Sequence, residues 1–110
     1  MVRHACRKPL SKRFYQRDPE LVAKELLGKI LVRRLHKETL EGLIVETEAY
    51  FGMEDPASRA RHGMKRYNAP MWGEPGIAFI YNVHNNWMFN VVAHRAVSYT
   101  HLTLPTTERV

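Results

Sequence analysis

Residues 40–50, LEGLIVETEAY, give the most informative strand pattern in the chain. The residue types along this segment predict a strand, in which every second side chain lies on the same face. One face carries Leu43, Val45 and Thr47, and the other carries Ile44, Glu46, Glu48 and Tyr50. Residues 29–35, KILVRRL, indicate a preceding strand, and the four residues between the two segments suit a hairpin turn.

A short helix is predicted before this hairpin and a long loop after it. Asp18 and Pro19 are typical of a helix start and Gly28 of a helix stop, so the helix should span residues 19–27. Residues 51–75 are rich in proline and glycine, which predicts a loop with at most a helical turn.

A second hairpin is predicted from residues 77–83 and 87–93, joined by the turn-prone residues 84–86. The expected fold class is therefore α+β, with a mostly antiparallel sheet, hairpins and a short N-terminal helix in a single, truncated domain. Residues 10–96 should form this domain, after a basic arm at residues 1–9. Residues 97–110, VSYTHLTLPTTERV, show no core periodicity and resemble a translated sequencing-adapter tail, so we expect them to be non-native.

The composition is that of a small basic globular chain. It has 110 residues, 17 lysines and arginines and 11 acids, giving a net charge of +6. A single cysteine, Cys6, excludes an intramolecular disulfide framework, and no apolar run is long enough for a membrane span. The first 17 residues contain six basic residues and no acid, which fits either a solvated arm or a contact with a DNA backbone: Arg3, Arg7, Lys8, Lys12, Arg13 and Arg17.

Glu46 and Glu48 are the most informative polar residues, because two acids at alternate strand positions share one face. They could face solvent or pair with Arg33 or Arg34. Alternatively, one of them could act as a general base above an aromatic pocket. Tyr50 and Tyr81 are each typical of a core, but together with a basic surface they suggest stacking partners for a nucleobase.

No cofactor or metal is expected from the sequence motifs. The six histidines form no i, i+4 pair and no HExxH pattern, and no glycine-rich phosphate-binding string occurs.

Six ordered motifs give the chain a resemblance to a known family. They are FYQRD at 14–18, LLGK at 26–29, IVETEAY at 44–50, DPAS at 55–58, MWGEPG at 71–76 and NVV at 90–92. Over about residues 10–94 the chain resembles the 3-methyladenine DNA glycosylases of the mammalian-style alkyladenine and hypoxanthine type. The resemblance implies a monofunctional base-excision repair enzyme that flips an alkylated or deaminated purine out of duplex DNA and hydrolyses its N-glycosidic bond.

Roles for individual residues follow from the resemblance alone. It implies that Glu48 activates the attacking water and that Tyr50 and Tyr81 stack on the flipped base. His84 stands where the family has an intercalating tyrosine, and Asn90 matches an asparagine of the pocket wall. Three basic residues are expected to contact the DNA backbone: Lys12, Arg13 and Arg17.

Three departures from the family pattern qualify these expectations. Arg59 replaces the usual pocket histidine, which changes base selectivity because arginine cannot accept a hydrogen bond, and His62 is a substitute if the loop shifts. His84 replaces tyrosine, and both changes resemble the archaeal branch of the family. Family members continue for about as many residues again, including an arginine that positions the water. We therefore expect this chain to be an incomplete, inactive fragment.

The expected partner is double-stranded DNA containing damaged purines, with no membrane partner, and the expected state is a monomer in a prokaryotic cytoplasm. Two other interpretations stay open. The chain could be a non-catalytic DNA-binding module that uses the same basic, aromatic face. It could also be a structural or interaction fragment whose acids are surface groups only.

Overall fold

A computed structural model describes residues 8–94 and 97–104. The basic arm predicted at residues 1–9 lies outside these residues except for its last two. The elements in chain order are α1 (Lys12–Tyr15), α2 (Pro19–Leu26), β1 (Ile30–Arg34), β2 (Thr39–Leu43), β3 (Glu46–Tyr50), a 3-10 turn (Ala69–Trp72), β4 (Ala78–Val83), β5 (Asn86–Ala93) and β6 (Ser98–Thr103). The α+β class predicted from the sequence is confirmed. Among the described residues, neither helix has the length or apolar character to cross a membrane.

The strands form two antiparallel sheets. β1 and β2 make a separate hairpin in which Ile30 lies opposite Leu43. The other four strands form one sheet in the order β3-β6-β5-β4, and the β4–β5 pair is the second predicted hairpin.

The predicted strand at residues 40–50 is divided between the two sheets. The Ile44 amide donates to the Lys29 carbonyl at 2.9 Å, whereas the next amide, that of Val45, donates to the Thr103 carbonyl at 2.9 Å. The chain therefore passes from one sheet to the other between Ile44 and Val45. Alternation of residue types could not reveal this change, because both halves are extended.

The sequence patterns predicted neither the short helix α1 nor the strand β6. β6 lies in the middle of the large sheet, between β3 and β5. Ser98, Tyr99, Thr100 and Leu102 are buried, so the strand is covered on both faces, and a strand of this kind has no apolar–polar alternation. The absence of periodicity at 97–104 was therefore misleading about structure, while the non-native origin of residues 97–110 stays a prediction. Residues 105–110 of that segment lie outside the described residues.

Each face of the large sheet has its own apolar core. On the first, which we call the helix face, α2 packs against the sheet and the buried cluster is Val22, Leu26, Ile44, Val91, Ala93 and Leu102. On the second, which we call the loop face, residues 51–75 supply Ala60 and Met71 to a cluster with Phe79, Val92 and Tyr99. Because β3 alternates between these faces, Thr47 bonds to α2 and Tyr50 packs into the loop-face cluster.

The signals at the start of α2 act as the sequence predicts. Asp18 Oδ1 accepts a hydrogen bond from the Glu20 amide at 2.8 Å, and Pro19 occupies the first helical turn. The helix ends at Leu26, one residue before the predicted end, and Gly28 then takes a positive φ of 83°. This turn returns the chain to begin β1.

Candidate active site on the loop face

A row of aromatic rings crosses the loop face of the large sheet. Tyr50 stacks on Tyr99 with a centroid distance of 5.0 Å and an interplanar angle of 22°. Tyr99 meets Phe79 edge-on at 5.6 Å, and Phe79 lies 5.2 Å from Tyr81. The row continues from Tyr81 to Tyr67, whose ring meets it edge-on at 6.2 Å, so Tyr50 and Tyr81, which the sequence singled out, belong to one continuous row.

Glu48 lies at the Tyr50 end of this row. The Tyr50 hydroxyl donates a hydrogen bond to Glu48 Oε1 at 2.7 Å. This bond, together with burial and the adjacent negative charge, raises the pKa of Tyr50 well above its ordinary value of 10. The Glu48 side chain itself is exposed. The site thus holds an accessible carboxylate with one oxygen oriented by a tyrosine.

Glu46 is also exposed and shares this face, as the alternation predicted. Within residues 8–94 and 97–104, neither Glu46 nor Glu48 forms an ion pair with Arg33 or Arg34. Glu48 is distinguished from Glu46 by its hydrogen bond to Tyr50.

Arg59 covers the row at Tyr81. Its guanidinium carbon lies 4.7 Å from the centre of the Tyr81 ring. Interaction with the Tyr81 hydroxyl raises the pKa of Arg59. The backbone of Arg59 is fixed as well, because its amide donates to the Tyr99 hydroxyl at 3.1 Å and its carbonyl accepts from Asn68 Nδ2 at 2.8 Å. A planar cation therefore occupies the Tyr81 face on which a nucleobase could stack.

Asn90 is fully buried on the loop face and its side chain is saturated. Nδ2 donates to the Phe79 carbonyl at 2.9 Å and to the Met88 carbonyl at 3.3 Å. Oδ1 lies 3.1 Å from His101 Nδ1, which is also 3.1 Å from the Phe89 carbonyl. Both neighbours of that nitrogen are acceptors, so Nδ1 carries the hydrogen. These bonds connect Asn90 to β4 through the Phe79 carbonyl and to β6 through His101.

His84 lies away from Asn90, at the tip of the β4–β5 hairpin. His84 and Asn85 have φ values of 51° and 66°, the left-handed conformation required by a two-residue type I′ loop. The turn leaves the His84 side chain exposed at the end of the hairpin, a position from which it can reach a partner. His62 is exposed in the loop that carries Arg59.

The three basic residues assigned to DNA differ in their surroundings. Lys12 forms an ion pair with Glu74, and Arg17 forms one with Glu25 at 2.9 Å while its guanidinium lies over the Phe14 ring at 4.5 Å. Arg13 is exposed on α1. Only Arg13 presents its charge outward without an acidic partner among the described residues.

Tyr99 and His101 lie beside Tyr50 and Glu48, although their segment was expected to be non-native and so was not expected to contribute to the site. Their alternation in SYTHLT puts both on the loop face, and His101 lies opposite Glu48 in the β3–β6 register. The described residues contain no cluster of His, Cys, Asp or Glu that could hold a metal ion.

A family model described as methylpurine-DNA glycosylase matches residues 13–99 of this chain. This match relates the chain to the DNA glycosylases, which are DNA repair proteins. Within that class, the chain belongs to the methylpurine-DNA glycosylase family. The resemblance stated from the ordered motifs is thereby confirmed.

Curated relatives agree with this assignment. The chain is 51% identical over 85 residues to a protein of Aeropyrum pernix, a match that covers 77% of this chain and 44% of the relative. It is 45% identical over 78 residues to a protein of Koribacter versatilis, covering 71% and 38%, and 44% identical over 86 residues to one of Clostridium botulinum, covering 76% and 42%. Each relative is provisionally named a 3-methyladenine DNA glycosylase. The chain thus spans less than half the length of these relatives.

Proposed function

We propose that the complete protein removes alkylated or deaminated purines from duplex DNA by hydrolysing their N-glycosidic bond. The observation that carries this proposal is the Glu48 carboxylate, held by the Tyr50 hydroxyl at 2.7 Å at the end of an aromatic row. Family membership supplies the DNA context, and the site supplies an acid–base group beside flat rings.

Glu48 acts as the general base in this proposal. Its Oε1 is engaged by Tyr50, so the other carboxylate oxygen accepts a proton from water as the water oxygen attacks the sugar C1′. The bond between C1′ and the purine nitrogen breaks, and its electron pair leaves with the base. Alkylation or deamination makes the purine a better leaving group, so a positioned base suffices for this step.

Base flipping is required because C1′ and the leaving nitrogen are inaccessible inside the stack. His84 occupies the hairpin tip and fills the gap left by the flipped nucleotide. The Tyr81 ring receives the flipped base, and Arg59 leaves that ring or shifts to the base edge. Because Arg59 is a cation that donates only, it favours a neutral base with an acceptor edge, such as hypoxanthine, over a cationic one.

The 110-residue chain alone is proposed to lack activity, since it covers less than half of each matched relative. The test is incubation of the purified chain with a duplex containing one hypoxanthine, followed by measurement of free base. We expect no release above the buffer control. Release by the wild-type chain that Glu48→Gln abolishes and Glu46→Gln preserves contradicts the fragment proposal but supports the role of Glu48.

A second candidate function is DNA binding without catalysis, which the exposed position of Glu48 favours. Binding of lesion-containing and normal duplexes should be compared at one salt concentration, because phosphate contacts make affinity salt-dependent. If Glu48→Gln binds lesion DNA equally or more tightly and the intact relative from Aeropyrum pernix shows no base release, the binding interpretation replaces the enzymatic one.

A further inference from the structure

The loop that covers the aromatic row carries a concentration of positive charge. Residues 59–66, RARHGMKR, contain four arginines and lysines and one histidine, and residues 56–73 contain no acid. We call residues 59–66 the basic loop. Across the part of the chain that the structure describes, none of its four cations forms an ion pair with a carboxylate. The loop therefore presents a positive surface beside the candidate site.

The backbone of the basic loop is held in place by Asn68, which is fully buried. Asn68 Nδ2 donates to the Arg59 and Gly63 carbonyls at 2.8 and 3.2 Å, and Oδ1 accepts from the Lys65 amide at 2.6 Å. The Arg59 amide also donates to the Tyr99 hydroxyl at 3.1 Å. A polyanion that binds the cations of this loop therefore does not have to order its backbone first.

The four cations of the loop face two directions. Arg61, Lys65 and Arg66 are exposed, and Arg61 Nη1 is oriented by a 3.0 Å hydrogen bond to the Ser58 carbonyl. Arg59 is half-buried, and its guanidinium lies over the Tyr81 ring. The basic loop thus joins three outward cations to one inward cation that covers a ring of the site.

A phosphate group can replace the contact between Arg59 and Tyr81. A cation–π contact at a solvent-accessible ring is weak, whereas a guanidinium can donate two parallel, charge-assisted hydrogen bonds to a phosphate. Because the Arg59 backbone is fixed by its amide and carbonyl bonds, the exchange requires only side-chain rotation. Departure of the guanidinium leaves the Tyr81 face open to a flat ligand.

We propose that the basic loop binds the phosphate backbone of DNA and that this contact draws Arg59 off the Tyr81 ring. The free protein keeps Tyr81 covered, and a bound DNA strand favours the uncovered state, because only that state offers it the Arg59 guanidinium. The inference rests on the proposed function for its choice of DNA as the polyanion. It adds a coupling between contact with the DNA backbone and access to the stacking ring.

The first test measures the affinity of the full 110-residue chain for an undamaged duplex over a series of salt concentrations. A variant that combines Arg61→Gln, Lys65→Gln and Arg66→Gln should bind more weakly. The slope of log affinity against log salt should fall by about 3, since each lost phosphate contact removes about one unit. All three positions are exposed, so the fold should tolerate the changes.

The matched control removes three exposed cations from the β1–β2 hairpin, by combining Arg33→Gln, Arg34→Gln and Lys37→Gln. It changes the net charge by the same amount, and its salt slope should stay within about 1 of the wild-type value. Equal loss of slope in the two variants contradicts the proposal, because the effect is then one of net charge. Absence of binding by the wild-type chain at low salt contradicts it as well.

The second test follows the Arg59 side chain by NMR, with Arg59→Lys used to assign its signal. The ring current of Tyr81 shifts the Arg59 Nε proton upfield in the free protein. Addition of the undamaged duplex should move this signal downfield as the guanidinium leaves the ring for a phosphate, and added salt should reverse the change. A duplex that binds without moving the signal contradicts the coupling.

Both measurements use DNA without a damaged base, so neither depends on hydrolysis. A shifted Arg59 signal combined with no base release by the intact Aeropyrum pernix relative would support the inference and contradict the enzymatic proposal. Base release by that relative, combined with an unmoved Arg59 signal in this chain, would do the reverse.

Discussion

At the residue scale, the hydrogen bond between Tyr50 and Glu48 is the feature from which the proposed chemistry starts. A tyrosinate at this position would lose its donated bond and face the carboxylate directly, which is why the pKa of Tyr50 is raised. The spacing of the two residues on one strand made their common face predictable. The bond itself was not, because it depends on how stacking with Tyr99 orients the Tyr50 ring.

Glu48→Gln should lower the pKa of Tyr50 towards 10, because the substitution removes the negative charge and replaces the strongest hydrogen-bond acceptor. The measurement is an NMR pH titration of tyrosine labelled at the ring carbon bearing the hydroxyl. Glu46→Gln is the control, since Glu46 shares the face without this bond, and it should leave the Tyr50 curve in place. An unchanged Tyr50 pKa in Glu48→Gln would show that the bond does not form in solution.

A substitution at Asn90 tests whether its buried hydrogen bonds stabilise the fold. Asn90→Leu keeps a similar volume but removes the hydrogen bond to the Phe79 carbonyl and leaves His101 Nδ1 with the Phe89 carbonyl alone. The free energy of unfolding should fall by about 1–3 kcal/mol, the usual cost of an unsatisfied buried polar group. Urea denaturation followed by circular dichroism measures it. Asn86→Leu, at an exposed position in the same strand, should change stability much less, and equal losses would contradict a structural role for Asn90.

At the scale of elements, the sequence predicted the helix and the hairpin whose ends are specified by residues close together in the chain. The cap at Asp18, the stop at Gly28 and the turn at residues 84–86 specify α2 and the second hairpin locally. The transition between sheets at Ile44 and Val45 depends on contacts with Lys29 and Thr103, which are distant in sequence. β6 could not be predicted from alternation for a related reason. Both of its faces are buried, so its residues do not alternate between apolar and polar types.

The buried position of Tyr99 in β6 makes the fold sensitive to alkali. Burial raises the pKa of Tyr99 to about 12, against an ordinary value of 10. Above pH 10 the unfolded chain therefore loses this proton first, so stability falls as the pH rises from 10 to 12. Tyr99→Phe should reduce this loss, measured as the urea midpoint between pH 9 and pH 11. If the urea midpoint of the variant falls with pH as steeply as that of the wild type, the pKa of Tyr99 does not differ between the folded and unfolded chains.

At the scale of the whole molecule, the two faces of the large sheet differ in how far other elements cover them. The loop face is closed by residues 51–75, which bury Ala60 and Met71, and it carries Glu48 and the aromatic row. The helix face is closed at one side only and leaves Ile80 and Trp87 exposed. The common face of Glu48 and Tyr50 was predictable from the alternation of side chains along one strand, whereas the presence of Tyr99 and His101 beside them was not. The exposure of Ile80 and Trp87 was not predictable, because burial depends on contacts between elements that are distant in sequence.

The transition at Ile44 and Val45 has a mechanical consequence. Consecutive amides are anchored in different sheets, so the β1–β2 hairpin cannot tilt without pulling on the strand that follows. That strand reaches Glu48 within a few peptide units. A displacement of the hairpin is therefore expected to move the start of β3, the strand that carries Glu48.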